Sequence, residues 1–167
     1  MEIERKFTIK SLPNNLQQYE CKIIEQGYLN TKPVIRIRKS NEEYFLTYKS
    51  KFGIQPTSSD VIVNNEVELP LDQASYEHLK EKIDGHLVEK RRYLIPLENG
   101  LKIELDVFEG HLKGLCFAEI EFPSQEEAEN FQMLHWFDAD VSKDPRYGNG
   151  FLSKLNGLDE FYEAGKN

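Results

Sequence analysis

Hydrophobic and polar residues alternate along most of this chain, in short segments separated by turn residues. A period of two is typical of β-strands that bury one face. Eight segments show it: Glu2–Ile9, Lys22–Leu29, Val34–Lys39, Tyr44–Lys51, Val61–Leu69, Leu87–Ile95, Leu101–Phe108 and Cys116–Phe122. Asn99-Gly100 lies between two of these segments and predicts a hairpin turn. Because most neighbouring segments are close in sequence, the pattern predicts a large antiparallel sheet.

Helical patterns are fewer than strand patterns. One predicted helix follows Pro70-Leu71-Asp72 and ends near Asp84-Gly85, and a second follows Ser124. A short third helix is predicted over Asn14–Tyr19, and Ser153–Gly157 resembles the end of a fourth. In the first pattern Leu79 and Ile83 share one helical face, and in the second Ser124 and Glu127 have the spacing of a capping box. The predicted class is therefore α+β, with the helices packed on the apolar side of the sheet.

The polar face of the predicted sheet is dominated by charged residues. It carries eight acidic and eight basic side chains, so the face as a whole is neutral. They are Glu2, Glu4, Glu66, Glu68, Glu104, Asp106, Glu119 and Glu121 against Lys6, Arg36, Arg38, Lys49, Lys51, Lys90, Arg92 and Lys102. Charges are also segregated by strand, because Arg36 and Arg38 form a basic pair and Glu66 and Glu68 an acidic one.

Two structures would accommodate this charged face. An open antiparallel sheet would leave the charges in water, whereas a closed barrel of about eight strands would turn them inward to line a channel. Each buried ion loses several kcal/mol of solvation, so a fold would rarely keep the second arrangement for stability alone. The arginines suit forked contacts to phosphate oxygens. The pattern thus favours an eight-stranded antiparallel β-barrel, a tunnel with a charged interior that serves as a site.

Composition narrows the function classes. The 167 residues are enough for a sizeable core, and we expect a single domain over residues 1–167. The net charge of −8 argues against general binding to nucleic acid or anionic membrane, and no apolar run has membrane-spanning length. The acidic N-terminus is unlike a signal peptide, and Cys21 and Cys116 lie far apart. We therefore expect a cytoplasmic protein with reduced thiols.

Ordered motifs relate the chain to a known family. Glu2-Ile3-Glu4-Arg5-Lys6 is an E-x-E-x-K signature, followed by Gln26-Gly27-Tyr28-Leu29, Arg36-Ile37-Arg38, Leu46-Thr47-Tyr48-Lys49, Glu66-Val67-Glu68, Lys90-Arg91-Arg92-Tyr93, Ile103–Phe108 and Ala118–Phe122. Together these motifs resemble the CYTH family, also called triphosphate tunnel metalloenzymes, over almost the whole chain. The resemblance implies an eight-stranded antiparallel tunnel barrel with helices outside. One departure is Ser142-Lys143, where related sequences often have Thr-Gly.

The resemblance implies chemistry on a triphosphate group with a divalent metal, Mg²⁺ or Mn²⁺. The expected metal ligands are Glu2, Glu4, Glu119 and Glu121, with an ion pair to a tunnel cation as an equal alternative for Glu119. Lys6, Arg36, Arg38, Lys49, Lys90 and Arg92 are expected to bind the phosphates. The catalytic candidates are Lys6, Lys90 and Tyr28, together with Glu68, Glu104 and Asp106, one of which would orient an attacking water. Packing is the alternative role for Tyr28.

The first functional hypothesis is hydrolysis of inorganic tripolyphosphate to pyrophosphate and orthophosphate, with a small-molecule triphosphate as the partner. Alternatives are a class IV adenylate cyclase, a thiamine triphosphatase with a pocket near residues such as Trp136, and a non-catalytic binder of polyphosphate or nucleotide. The cyclases of the family carry a His-Phe pair ahead of the signature, for which Met1 leaves no room. The complete carboxylate set argues against a binder. The oligomeric state and any closure by Lys143–Gly157 stay open.

Overall fold

The computed structural model describes residues 1–56 and 59–166, and the strands in these ranges pair antiparallel. The strands are β1 (Glu2–Ile9), β2 (Glu20–Thr31), β3 (Val34–Ser40), β4 (Glu43–Ser50), β5 (Ile62–Leu71), β6 (Asp84–Pro96), β7 (Lys102–Phe108), β8 (Cys116–Glu121) and β9 (Phe137–Asp140). The α-helices are α1 (Gln73–Lys80), α2 (Gln125–Asn130), α3 (Asn149–Leu152) and α4 (Leu158–Ala164). Single 3₁₀ turns lie at Leu16–Gln18, Gly110–Leu112 and Pro145–Tyr147.

Eight of the nine described strands close into a barrel. Their order is β1-β5-β4-β3-β2-β6-β7-β8, and β8 returns to β1. The seam between β1 and β5 is short, because only Glu2, Ile3 and Glu4 of β1 pair there. Further along, the same edge of β1 pairs with β9 through Phe7 and Ile9. The predicted eight-stranded barrel is thus confirmed, and β9 is an addition that the alternation did not reveal.

The helix expected after Asp72 is present but shorter than predicted. Asp72 caps α1 by accepting a hydrogen bond from the Ser75 amide (2.7 Å). The helix ends at Lys80 instead of near Asp84-Gly85, and Asp84 already begins β6. Ile83 is used in the connection, where it packs so closely on β2 that a Cβ at Gly27 would lie 2.7 Å from its methyl group.

The C-terminal helices also differ from the predicted pattern. Instead of a helix ending in Ser153–Gly157, α3 ends at Leu152 and Gly157 is the N-cap of α4. The capping box of α2 is confirmed, because the Ser124 hydroxyl accepts a hydrogen bond from the Glu127 amide (3.1 Å). No helix within the described ranges is long and apolar enough to cross a membrane.

The largest apolar core lies outside the barrel wall. The outward side chains of β1, β5, β6, β7 and β8 pack there against α2 and β9. Phe7 stacks on Phe137 of β9 with ring centroids 4.7 Å apart, and Phe131 packs on Phe7 and Phe122. On another side of the barrel, α1 packs on β3 and β4, where the ring of its fully buried Tyr76 lies 5.0 Å from that of Tyr44. The helices therefore shield the apolar face of the sheet, as a barrel with a polar interior requires.

The interior of the barrel is charged in one part and apolar in another. Val88, Phe108 and Phe117 share the inward parity of their strands with charged residues, yet all three are fully buried. They pack with Tyr147, Leu152 and other residues of the C-terminal segment. This apolar floor fills one side of the barrel interior, so the charged interior occupies only part of it.

Arg5 fastens β1 to the elements outside the barrel. Its guanidinium donates hydrogen bonds to Asp140 of β9 (2.6 and 2.9 Å) and to the backbone carbonyls of Ala128 and Phe131 (2.8 and 3.0 Å). The Arg5 and Asp140 side chains are only 11% and 18% exposed. Arg5 is thus the outward, structural member of the first motif, while Glu4 and Lys6 face inward.

We expect Arg5→Met to lower the free energy of unfolding by about 3–5 kcal/mol, because it leaves the Asp140 carboxylate and two carbonyls without their donor. Urea denaturation measures this change. Arg91→Met is the matched control, because Arg91 pairs with Glu109 on the surface, where the side chains are 48% and 45% exposed. Exposed pairs of this kind contribute little to stability, because water and salt screen the two charges. Equal losses for the two variants would contradict the structural role of Arg5.

Candidate active site

The charged residues of the inner face line one cavity of about 1260 Å³. Its walls carry most of the residues expected at the site, namely Glu2, Glu4, Lys6, Tyr28, Arg36, Arg38, Lys49, Glu68, Arg92, Glu104, Glu119 and Glu121. Residues of the C-terminal segment, Ser142–Pro145 and Gly148–Gly150, complete the lining. Two of the expected residues, Lys90 and Asp106, lie in the wall behind this surface and are fully buried. The inward parity of the strands therefore assembles the predicted set in a shared hollow.

Three carboxylates of the expected metal set form an acidic group in the cavity. Glu4 on β1 pairs in register with Glu121 on β8, and Glu2 precedes Glu4 by two residues on the same face. Burial raises the pKa of all three, and Glu2 and Glu4 further raise the pKa of Glu121. Mutual repulsion of this kind is relieved by a bound cation.

Glu4 is the least satisfied of these carboxylates. It is 8% exposed, yet it accepts no hydrogen bond and has no cationic nitrogen within 4.0 Å in the part of the chain that the structure describes. Burial raises its pKa to about 7, and the charge of Glu119 adds to the rise. A buried carboxylate without a partner fits a hard divalent cation, which prefers carboxylate oxygens. In the described ranges, however, no three His, Cys, Asp or Glu side chains are close enough to share a metal as they stand.

Glu119 is engaged in ion pairs. Its carboxylate lies 3.6 Å from Lys6 Nζ and 3.5 Å from a terminal nitrogen of Arg92. Burial alone would raise its pKa, but Lys6 and Arg92 outweigh this effect and lower the pKa strongly. This arrangement matches the ion-pair alternative for Glu119. Glu104, which is its neighbour across the β7–β8 pair, also pairs with Arg92.

Asp106 is the common partner of two cations, Lys90 behind the cavity lining and Arg92 within it. Its oxygens accept hydrogen bonds from Lys90 Nζ (2.7 Å) and from two nitrogens of Arg92 (2.7 and 2.8 Å). The Asp106 and Lys90 side chains are fully shielded from solvent. With both oxygens occupied, Asp106 is placed to position Lys90 and Arg92, and it offers no free oxygen to orient a water. Burial lowers the pKa of Lys90 to about 7, an effect that Asp106 opposes.

Lys6 and Lys90 sit against the apolar floor. Lys6 Nζ lies 5.8 Å from the centre of the Phe117 ring, and Lys90 Nζ lies 5.5 Å from that of Phe108, within the range of cation–π attraction. The C-terminal segment supplies further acceptors. The Tyr147 carbonyl accepts from Lys6 (3.0 Å), and the Asn149 side chain accepts from Lys90 (3.1 Å).

Ser142, at the departure from the family pattern, holds the backbone of β1. Its hydroxyl accepts a hydrogen bond from the Lys6 amide (2.8 Å), and its own amide donates to Asp140 (2.8 Å). Ser142 is 8% exposed. Ser142 therefore uses its hydroxyl in a structural contact and anchors the segment that borders the cavity.

On the opposite wall, β3 and β4 contribute three basic residues. Lys49 lies 2.8 Å from Glu2, across the β1–β5 seam of the barrel, and 3.3 Å from Glu66 on the neighbouring strand β5. Arg36 and Arg38 have no carboxylate oxygen within 4.0 Å among the described residues. Arg36 donates instead to the Thr47 hydroxyl (3.1 Å), which itself donates to Glu68 (3.2 Å). The Nε atom of Arg36 is buried without a partner in the described structure.

Two uncharged residues of the site were not singled out from the sequence. Gln26 accepts a hydrogen bond from Arg38 Nε (2.8 Å) and donates one to the Tyr28 hydroxyl (3.2 Å). Gln26 and Thr47 are fully buried. A signal for both was present, because each is a polar residue on the inward parity of its strand, next to an aromatic residue of the same face, Tyr28 for Gln26 and Phe45 for Thr47. Tyr28 borders the cavity and is 3% exposed, so it combines packing with a hydroxyl beside the site.

Comparison with known proteins assigns the family. The model of the CYTH domain matches residues 1–147. The chain belongs to the CYTH family. It is 37% identical over 155 residues to an inorganic triphosphatase of Nitrosomonas europaea, covering 91% of this chain and 96% of that protein. It is 33% identical over 161 residues to an inorganic triphosphatase of Acetivibrio thermocellus, covering 92% and 93%.

A solved structure is also similar to this CYTH protein. The crystal structure of the inorganic triphosphatase NE1496 superposes with a TM-score of 0.66 at 35% identity, covering 94% of this chain and 97% of that one. The similarity therefore extends over the barrel and most of the elements outside it. The family resemblance expected from the E-x-E-x-K signature and the later motifs is confirmed.

The pairing of Asp106 has a consequence for stability. We expect Asp106→Asn to lower the free energy of unfolding by about 3–5 kcal/mol, because Lys90 and Arg92 would lose the carboxylate that they share. Adding Lys90→Met should restore part of the loss, since one buried ammonium is then removed. Urea denaturation of the single and double variants measures both effects. An unchanged stability of Asp106→Asn would show that the two cations do not depend on this carboxylate.

Proposed function

We propose that this CYTH protein is an inorganic triphosphatase, which hydrolyses tripolyphosphate to pyrophosphate and orthophosphate. The observation that supports the proposal is that one cavity contains unpaired charges of both signs. Among the described residues, Glu4 lacks a cation beside Glu121 and the Lys49-paired Glu2, and Arg36 and Arg38 lack a carboxylate. A divalent metal and a phosphate chain together would pair with both kinds of charge. The names of the relatives support the same activity.

The basic residues of the cavity would bind the phosphate oxygens. Arg36 and Arg38 offer free guanidinium hydrogens from one side, and Lys6 lines the cavity beside the apolar floor. Lys90, which is fully buried behind the lining, would add its positive charge from that floor. Lys49 and Arg92 complete the set and are already held by carboxylates. Phosphoryl transfer depends mainly on positioning and counter-charge. The set therefore suits both the bound triphosphate and the charge that develops during its hydrolysis.

Glu2, Glu4 and Glu121 would hold the metal, with Glu119 as a further ligand only if it leaves its ion pairs. The ion, Mg²⁺ or Mn²⁺, supplies Lewis-acid polarisation of the phosphate oxygens when bound. Glu68 and Glu104 are our candidates for the residue that orients the attacking water, because both border the cavity. Asp106 instead positions Lys90 and Arg92, and Tyr28 lies where its hydroxyl can contact a phosphate oxygen.

The proposal extends to the setting of the protein. We propose one domain over residues 1–167, located in the cytoplasm, with a small-molecule triphosphate as its partner and no affinity for nucleic acid or membrane. Cys21 and Cys116 are both free thiols, which supports a reducing compartment.

A product assay tests the proposed function. The purified protein with Mg²⁺ or Mn²⁺ is offered tripolyphosphate, ATP and thiamine triphosphate, and the products are separated by chromatography. We expect orthophosphate and pyrophosphate from tripolyphosphate at the highest kcat/KM. Cyclic AMP from ATP would instead identify a cyclase, and preferred cleavage of thiamine triphosphate would identify that activity. Tight binding of tripolyphosphate without turnover would identify a binder.

We expect Glu4→Gln to abolish turnover and also the thermal stabilisation by the metal, because the variant removes the charge of the central ligand. At a metal concentration of 100 times Kd, binding stabilises the wild type by about 2.7 kcal/mol. In EDTA the variant should be at least as stable as the wild type, since burial opposes the charged form of Glu4. Melting temperatures with and without Mn²⁺ measure this effect. Glu42→Gln, on the exposed β3–β4 turn, is the control, and an undiminished shift in Glu4→Gln would contradict the assignment.

A further inference from the structure

The basic residues expected to bind phosphate fall into two groups according to the partners of their side chains. Lys6, Lys49, Lys90 and Arg92 each lie within 4.0 Å of at least one carboxylate oxygen. Arg36 and Arg38 are the exceptions among the basic residues expected to bind phosphate, because the described residues place no carboxylate within that distance of either. Both are nevertheless held by side chains: Arg36 by the Thr47 hydroxyl and Arg38 by the Gln26 amide.

The side chain of Gln26 is fixed by its surroundings. Its side chain is fully buried inside the barrel and makes two hydrogen bonds, one to Arg38 Nε (2.8 Å) and one to the Tyr28 hydroxyl (3.2 Å). The contact uses the inner nitrogen of the guanidinium, so both terminal nitrogens of Arg38 stay available to the cavity. Because the Gln26 amide is neutral, it orients the guanidinium of Arg38 without neutralising its positive charge.

In the described part of the chain, the charges around Arg38 also leave its guanidinium without a direct anionic partner. Burial lowers its pKa to about 10, and the neighbouring cations Arg36 and Arg92 lower it further than burial alone would. Tyr28 and Asp106 face Arg38 from the other elements and act in the opposite direction. A guanidinium in this situation interacts strongly with any anion that enters the cavity.

We propose that Gln26 is a positioning residue that holds Arg38 with a neutral amide in place of a carboxylate, so that the charge of Arg38 is reserved for a phosphoryl group of the substrate. Thr47 has the same relation to Arg36. The inference rests on the proposed function for its ligand, a linear triphosphate. It differs from a purely structural role, in which Gln26 would only satisfy buried polar groups.

A change in the charge of residue 26 distinguishes the positioning role from the purely structural role. Gln26→Glu keeps the oxygen that accepts from Arg38 Nε and adds a negative charge, whereas Gln26→Met keeps the size and removes both hydrogen bonds. If Gln26 were only structural, Gln26→Glu would be the milder change, because an ion pair with Arg38 replaces a hydrogen bond. If Gln26 keeps Arg38 available, Gln26→Glu is the more damaging change for substrate binding, although the fold is intact.

The test compares Gln26→Glu, Gln26→Met and the surface control Gln17→Glu, which adds the same charge at an exposed position. Binding of tripolyphosphate in EDTA is measured by titration calorimetry, KM and kcat are measured with Mg²⁺, and melting temperatures report the fold. We expect Gln26→Glu to raise Kd and KM at least about tenfold, more than Gln26→Met does, with a melting temperature equal to or above that of the wild type. Gln17→Glu should match the wild type in all three measurements.

A further pair of variants tests whether Gln26 acts through Arg38. Gln26→Met should raise KM severalfold in the wild-type background and have almost no further effect on KM in the Arg38→Ala background. Additive effects, or a weaker effect of Gln26→Glu than of Gln26→Met, would overturn the proposal. If Gln26→Glu does not fold, the proposal is decided by whether the effects of Gln26→Met and Arg38→Ala on KM are additive. If the wild type hydrolyses another triphosphate and not tripolyphosphate, the proposed function is refuted. The role of Gln26 is then tested by comparing Kd and KM of the same variants with that other triphosphate.

Discussion

The structure depends on one constraint: the charged face of a closed sheet points inward, where water is limited. Ions in such a place must be paired, hydrogen-bonded or kept for a ligand. The barrel meets most of this need internally, with Asp106 between Lys90 and Arg92, and with Glu2 and Glu66 around Lys49. The same inversion turns the apolar residues outward, which explains why α1, α2 and β9 pack on the outside of the wall.

The few ions that are left unpaired define what the cavity is for. Among the described residues, Glu4 lacks a cation and Arg36 and Arg38 lack a carboxylate, whereas the other buried charges of the interior are paired. Unpaired buried charges lower the stability of the empty protein, and that cost is recovered only when a ligand of opposite charge binds. A metal with a phosphate chain carries both signs, so the imbalance on the two walls and the proposed activity have a common explanation.

The C-terminal segment decides how much of the barrel is a site. Tyr147, Leu152 and their neighbours pack on the inward aromatic residues of β7 and β8, so part of the interior is an apolar floor. The segment also gives acceptors to the two lysines on that floor, through the Tyr147 carbonyl and the Asn149 side chain. The 3₁₀ turn and short helix at Pro145–Leu152 are therefore part of the site as well as of the fold.

The sequence by itself determined the period of two, and with it eight of the nine described strands, the inward charges and most of the charged residues that line the cavity. This worked because side chains alternate strictly between the faces of a strand, so parity can be read without knowing any partner. The motifs added the family. Only the tertiary structure decided which charges pair. Asp106 was a candidate for orienting water by parity alone, but its oxygens face two cations. β9 and the floor also escaped prediction, because they depend on which strand edge and which aromatic rings the end of the chain meets. Pairings between distant residues are set by the closure of the barrel, and alternation carries no information about its register.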